Sequence, residues 1–173
     1  MELSFATIED ADKLCQFARQ SFYDTYSWYN DEQNMATYVN EAFTIAKVKE
    51  DINNPLTKFV LAWNNDKLCG YVKIGWGNRF DAPDTTEKQL EVARLYVDKS
   101  FIGQGVGKLL IIVAIEYARQ NNADCIWLDV WKENERAIEF YGKSGFKIVS
   151  DWTFMLGNDK QDDYIMVKQL NNS

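Results

Sequence analysis

Residues 95–108 read LYVDKSFIGQGVGK, and they join a β-rich segment to a long apolar run. The segment Gln89 to Val97 (QLEVARLYV) is typical of a strand, and the run Leu109 to Ala118 predicts a helix that is buried on more than one side. A glycine-rich turn at such a junction brings unpaired amides and the positive end of the helix dipole together, without Cβ atoms that would keep an anion away. The stretch therefore predicts a turn that can hold a phosphate, in a fold that mixes strands and helices.

Two common nucleotide-binding loops do not fit this turn. A dinucleotide fingerprint requires glycine where Lys108 stands. A P-loop requires one more residue before its Gly-Lys pair and a Ser or Thr after it, whereas Leu109 follows here. Taken alone, the turn has two interpretations, a phosphate site or a tight turn packed against a helix.

The rest of the chain predicts further elements around this junction. We expect strands at Leu3 to Ala6, Lys58 to Trp63, Leu68 to Trp76, Ala123 to Trp131, Phe146 to Met155 and Tyr164 to Lys168. We expect helices after the capping box of Thr7 and Asp10, in two pieces between Ser21 and Ala46, and from Asn134 to Gly145. The segment GNDKQDD at 157–163 predicts a turn. This order indicates an α+β, or mixed α/β, fold with one sheet.

The composition is that of one compact globular domain over residues 1–173. Hydrophobic residues make up 46% of the chain and charged residues 26%. The formal net charge of −7 disfavours nucleic acid as a partner and favours cationic partners. No apolar run approaches the roughly 20 residues that span a bilayer, and the start MELSFATIED lacks the features of a signal peptide. We therefore expect a cytoplasmic protein without membrane contact.

The sequence contains no histidine, which excludes every mechanism that uses an imidazole as base or metal ligand. Cys15, Cys69 and Cys125 are widely spaced among apolar neighbours, so we expect buried thiols rather than disulfides or a zinc site. No metal is predicted.

The second half of the chain resembles the GNAT superfamily of acetyl-CoA-dependent N-acetyltransferases. A strand ending LYV, the glycine-rich turn with its helix, and the run VWKENERAIEFYGKSGF carry this resemblance between about Leu90 and Val149. Over nearly the whole chain, SFYDTY, GYVKI and FMLGNDKQDDYIMVKQL are also similar to the PaiA-type spermidine/spermine acetyltransferases. The resemblance implies a mixed, mostly antiparallel central sheet with splayed middle strands flanked by helices, and acetyl-CoA as the cofactor.

The same resemblance implies which residues contact acetyl-CoA. Main-chain groups at the strand end would pair with the pantetheine arm, and amides of the turn would hold the pyrophosphate. The implied contacts are Leu95, Tyr96, Val97, Gly103, Gln104, Gly105, Val106, Gly107, Lys108, Asn134 and Tyr141. Ile102 departs from the family pattern, which commonly has Arg or Gln there, so one side-chain contact to phosphate is lost.

N-acetylation needs an uncharged amine and a proton for the departing thiolate. An alkyl ammonium titrates at roughly pH 10, so a base must first remove a proton, and without histidine a carboxylate acting through water is expected. Glu91 is the predicted base because strand alternation places it on the same face as Leu95, four residues later. A solvated or salt-bridged strand carboxylate is the alternative for Glu91. The resemblance implies that Tyr141 donates the proton to the thiolate, and a core tyrosine is the alternative.

The acceptor follows mainly from the resemblance, which implies a polyamine such as spermidine or spermine. A flexible cation of this kind needs carboxylates and aromatic faces, and Asp24, Tyr26, Trp76 and Trp131 are the predicted substrate contacts. Ordinary surface and core roles are the alternative for these side chains. Alternative acceptors are a protein N-terminus, an aminoglycoside or another small amine, and a further alternative is a non-catalytic regulator that senses acetyl-CoA. Exposed aromatic residues also make a homodimer plausible.

Overall fold

The computed structural model describes residues 1–170, in which one sheet has helices on both faces. The strands are β1 (Glu2–Phe5), β2 (Thr57–Asn64), β3 (Lys67–Trp76), β4 (Gln89–Val97), β5 (Cys125–Trp131), β6 (Lys147–Leu156) and β7 (Asp159–Gln169). The helices are α1 (Ala11–Tyr26), α2 (Glu32–Ala42), α3 (Ile45–Asn53), α4 (Val106–Gln120) and α5 (Glu135–Lys143). None of the helices in this described range is long and apolar enough to cross a membrane.

The strands form one seven-stranded sheet in the order β1-β2-β3-β4-β5-β7-β6. Every neighbouring pair is antiparallel except β4 and β5, which run parallel. Within the described residues these two strands pair only from Gln89 with Cys125 to Glu91 with Trp127. Beyond that point they separate. The predicted mixed, mostly antiparallel sheet with splayed middle strands is confirmed.

The sheet divides the core into two layers. On one face α4 packs with its inward side, and Leu110, Ala114 and Ala118 are fully buried. On the other face α1, α2 and α3 form a second layer, in which Leu14 and Met35 are each 1% exposed. Because the sheet opens between β4 and β5, the gap connects these two sides.

A β-bulge in β4 changes which side chains reach each face. Opposite β3, Val92 pairs with Ile74 and Arg94 pairs with Lys73, so Ala93 is the extra residue. Leu95 and Val92 therefore both pack on the α4 face, whereas Glu91 points to the face of α1. The prediction that Glu91 and Leu95 share a face is wrong, because the bulge shifts the alternation by one residue.

Most predicted elements are present, and two differ. The strand from Gln89 to Val97 is confirmed at its predicted bounds, and the hairpin of β2 and β3 is confirmed with Asn65 at φ 53° in its turn. The segment between Ser21 and Ala46 contains the end of α1, all of α2 and the start of α3, because Asp31 and Thr44 each cap a new helix. The segment 157–163 is mostly strand, since β7 already begins at Asp159.

The close approach of β3, β4 and α4 leaves no room for a side chain at Gly70. A Cβ there would lie 2.8 Å from the Tyr96 carbonyl oxygen and 3.2 Å from Leu110 Cδ1. We predict that Gly70→Ala lowers the free energy of unfolding by about 1–3 kcal/mol, because the backbone of β4 must shift. Gly77→Ala is the matched control, since nothing lies within 4 Å of its added Cβ. Equal urea midpoints for the two variants would contradict this prediction.

Candidate functional site

The separation of β4 and β5 opens a cleft of about 470 Å³. The end of β4, the glycine-rich turn, the start of α4 and one side of α5 form its walls. Nearly all the predicted cofactor contacts line it, namely Leu95, Tyr96, Val97, Gly103, Gly105, Val106, Gly107, Lys108, Asn134 and Tyr141. The structure thus brings residues of β4, the glycine-rich turn and α5, which are far apart in the sequence, together in one cleft.

The glycine-rich turn presents backbone amides to this cleft. Gly103 and Gly105 both have φ of +84°, a conformation that other residues rarely adopt, and the space beside each is open. Gly105 caps α4, and the first intrahelical hydrogen bond runs from Leu109 N to Gly105 O at 3.0 Å. The amides of the first turn of α4 therefore have no helical acceptor and face the cleft with the positive end of the dipole. Such a turn can hold an anionic group.

Two side chains of the turn differ from the rest. The side-chain amide of Gln104 donates a hydrogen bond to Ser100 O at 2.7 Å, and its backbone N–H donates to Phe101 O at 3.2 Å. Gln104 does not line the cleft, so its predicted cofactor contact is not supported by the geometry. Ile102 does line the cleft and is 39% exposed, which places an apolar surface beside the anion-holding amides.

Helix α5 supplies Asn134 and Tyr141 to the opposite wall. Asn134 caps the helix, because its side chain accepts a hydrogen bond from Ala137 N at 3.2 Å. Tyr141 is 8% exposed and packs between Phe140 and Phe146. Burial, and then the charge of Asp129, raise the pKa of the Tyr141 hydroxyl, so it holds its proton at neutral pH.

A second pocket of about 100 Å³ lies on the other face of the sheet, beneath α1 and α2. Its wall is mostly aromatic, and Tyr26 and Trp131 line it as predicted. Tyr26, Tyr96, Arg94 and Asp129 line both the pocket and the cleft. The two cavities therefore meet in the gap between β4 and β5.

Two carboxyl groups stand at this meeting point. Asp129 on β5 and Asp163 on β7 lie close enough for a hydrogen bond between their carboxyl groups, which forms only when a proton lies between them. Burial raises the pKa of both, and the charge of Asp129 raises that of Asp163 further. Sequence reasoning placed Asp163 in a turn and missed it; the alternating pattern Asp163, Ile165, Val167 was the signal for a longer strand.

Arg94 and Glu91 are the other charged groups beside the pocket. The Arg94 guanidinium lies 4.3 Å from the Phe43 ring centroid and donates a hydrogen bond to the Tyr38 hydroxyl. Burial, and then the charge of Asp129, raise the pKa of Glu91 to about 7. Glu91 lines neither cavity but lies on the same face as the pocket.

Two predicted substrate contacts lie elsewhere. Asp24 forms an ion pair with Lys99 at 2.8 Å and also accepts a hydrogen bond from Gln20. Trp76 packs on the α4 face, with Tyr117 at 6.4 Å between ring centroids. Neither lines the cleft or the pocket.

Comparison with known proteins agrees with this geometry. The model of the acetyltransferase (GNAT) family matches residues 12–146. The chain belongs to the GNAT family. An uncharacterized N-acetyltransferase in the pepI 3′ region of Lactobacillus delbrueckii subsp. lactis is 30% identical over 167 residues, which is 94% of this chain and 93% of the relative. The chain is therefore an N-acetyltransferase of the GNAT type.

Two further comparisons concern proteins of Thermoplasma acidophilum. The spermidine N(1)-acetyltransferase of Thermoplasma acidophilum is 24% identical over 152 residues, or 86% of this chain and 89% of the relative. The crystal structure of the PaiA N-acetyltransferase of T. acidophilum in complex with coenzyme A superposes with a TM-score of 0.78 at 23% identity. That superposition covers 98% of this chain and 99% of the other. The resemblance to PaiA-type proteins is confirmed at the level of the fold and the family.

The raised pKa of Glu91 gives a prediction for stability. Between the ordinary value of 4.5 and about 7, the folded protein holds a proton that the unfolded chain has lost. The stabilisation is full below pH 4.5 and is lost as the pH rises through 7, so the free energy of unfolding falls across this window. We predict that the free energy of unfolding of Glu91→Gln, measured with urea from pH 4 to 8, falls by on the order of 2 kcal/mol less than that of the wild type.

The control for this prediction is Glu9→Gln, which changes an exposed carboxyl. Its stability should follow the wild-type pH curve. Parallel curves for all three proteins would mean that Glu91 titrates like an ordinary surface carboxyl.

Proposed function

We propose that this GNAT protein transfers the acetyl group of acetyl-CoA directly to a primary amine, and that the acceptor is a polyamine such as spermidine or spermine. One observation carries the proposal: a cleft with an anion-holding turn opens, through the gap between β4 and β5, into an aromatic pocket with buried carboxyl groups. A cofactor on one face and an amine on the other would meet in that gap. The expected cytoplasmic location and the homodimer stay predictions.

The residues of the cleft fit acetyl-CoA. The amides that begin α4 suit a pyrophosphate, and the edge of β4 that β5 leaves unpaired offers main-chain groups to an extended pantetheine arm. Lys108 and Arg136 line the same cleft and carry positive charge toward the phosphates. When bound, the cofactor supplies an acetyl thioester and leaves as a thiolate.

Tyr141 is the proposed proton donor for that thiolate. It lines the cleft on α5, and its raised pKa keeps the hydroxyl protonated at neutral pH, so that a proton is available beside the departing thiolate. Glu91 is the proposed proton acceptor that acts through water. Its pKa of about 7 matches the working pH of a general base, and water is needed because Glu91 lines neither cavity.

The pocket and its rim support a long cationic acceptor. Rings of Tyr26 and Trp131 lie 6.0 Å apart, and Tyr29 continues this aromatic surface outward at 4.9 Å from Trp131. Trp28 beside it is 83% exposed. Aromatic faces bind alkyl ammonium chains.

The decisive experiment is thiol release from acetyl-CoA by the purified protein. We expect saturable release with spermidine and spermine and only background release without an acceptor. A tripeptide with a free N-terminus and an aminoglycoside test the alternative acceptors. Binding of acetyl-CoA without turnover on any amine would indicate a sensor, and absence of saturable acetyl-CoA binding would overturn the proposal altogether.

Tyr141→Phe tests the proton donor. We predict a fall in kcat of on the order of 10²-fold or more, because the thiolate must leave without a donated proton. The Kd of acetyl-CoA and the urea midpoint should stay close to wild type. Tyr117→Phe is the matched control on α4, where the ring packs against Phe5 and Trp76, and should keep full activity. Unchanged kcat in Tyr141→Phe would remove this residue from the chemistry.

A further inference from the structure

Within residues 1–170, two buried side-chain polar atoms lack a hydrogen-bond partner: the Tyr71 hydroxyl and Asp163 Oδ1. Tyr71 lies among the rings of the α1 layer and lines neither cavity. Asp163 is different, because it is 4% exposed and lines the aromatic pocket. A buried carboxylate oxygen without a donor is costly, so this atom marks a place where a donor is expected to arrive.

The sheet register brings the second carboxyl to the same place. Asp163 on β7 lies opposite Trp131 on β5, and Asp129 lies opposite Ile165. Directly opposed residues point to the same face, so the two carboxyls are diagonal neighbours on the face of the pocket. Asp129 also lines the cofactor cleft, which Asp163 does not. The pair therefore reaches from the acceptor pocket to the gap where transfer would occur.

We propose that the Asp129–Asp163 carboxyl pair binds the primary ammonium group of the acceptor directly and takes the proton that must leave before attack. This inference rests on the proposed function, and it assigns to Asp163 a role as a catalytic residue. The ammonium group supplies the donor that Asp163 Oδ1 lacks.

Proton balance follows from the shared proton of the pair. Without acceptor, the two carboxyls hold one proton between them, because two adjacent buried carboxylates cannot both ionise cheaply. The arriving ammonium replaces that proton, which leaves to solvent, and the pair becomes a dianion around one positive charge. An N–H bond of the ammonium then breaks and an O–H bond forms on the pair, which leaves a neutral amine and restores the singly protonated pair. Glu91 takes the second proton of the nitrogen through water.

The charges around the pair come from several elements. Near the pair lie Tyr26 on α1, Tyr38 on α2 and Tyr141 of α5. The charges of Asp162 on β7 and Lys132 after β5 also act on Asp163, although strand alternation directs Asp162 to the opposite face. Lys132 forms an ion pair with Asp151 at 3.1 Å, and its charge lowers the pKa of Asp163 less than burial and Asp129 raise it. The tyrosines stay neutral because burial raises their pKa. Two charged groups of β4 complete the set: Arg94 lines the same pocket and contacts Phe43 and Tyr38, and Glu91 has its pKa raised by burial and then by the charge of Asp129.

The experiment is calorimetric titration of the full chain at pH 7 with spermidine and with n-propylamine, in the presence and absence of coenzyme A. Buffers of different ionisation enthalpy give the number of protons released. For the wild-type protein we expect about one proton released for each amine bound, since binding displaces the shared proton. Binding without proton release, or no binding of either amine, would overturn the inference.

Asp163→Asn and Asp129→Asn test the pair itself. Each should weaken the Kd of both amines by on the order of 30-fold and abolish proton release, because one charge of a buried ion pair is lost. Asp66→Asn is the control in the turn between β2 and β3, where the side chain is exposed, and should release the wild-type number of protons. Wild-type affinity and proton release in Asp163→Asn would overturn the inference.

These outcomes separate the two proposals. Normal thiol release with spermidine, together with unaltered amine binding in Asp163→Asn, leaves the acetyltransferase proposal intact and removes the carboxyl pair. Absence of acetyl-CoA binding removes the proposed function, while proton-linked amine binding that depends on Asp163 still supports the pair.

Discussion

The early separation of β4 and β5 is the constraint on which the rest of the structure depends. After three residue pairs, from Gln89 to Glu91, the strands stop exchanging hydrogen bonds. Backbone groups along the free edge of β4 must then be satisfied by water or by a ligand, so this gap in the ladder is a binding edge. The same gap joins a cleft and a pocket that would otherwise lie on opposite faces of a closed sheet.

The bulge at Ala93 determines what each cavity receives. Without the extra residue, Arg94 would lie on the α4 face with Val92, and Leu95 would point toward the α1 layer. With it, Val92 and Leu95 pack beside α4, whereas Arg94 and Tyr96 reach the aromatic pocket as well as the cleft. A single inserted residue therefore directs apolar and polar side chains of one strand to opposite faces of the sheet.

A chain without histidine has to manage protons with carboxyl and phenol groups. Both kinds of group ordinarily have pKa values far from neutral pH, and burial raises the pKa of the carboxyl groups. Loss of hydration raises the pKa of Glu91, Asp129 and Asp163, and the charge of Asp129 raises the pKa of Glu91 and Asp163 further. The fold thus buries a few acidic side chains near the gap, whereas others form surface ion pairs such as that of Asp24 with Lys99.

The sequence by itself determined the elements whose signals are local: the strand Gln89–Val97, the glycine-rich turn before α4, and the Asn134 cap of α5. It also determined the family, because the motif residues stand at fixed spacings. Only the tertiary structure decided that Glu91 faces away from Leu95, that Asp163 meets Asp129, and that Trp76 and Asp24 lie outside both cavities. Bulges, strand pairing and burial depend on contacts between residues far apart in the chain, and local patterns of side chains do not encode them.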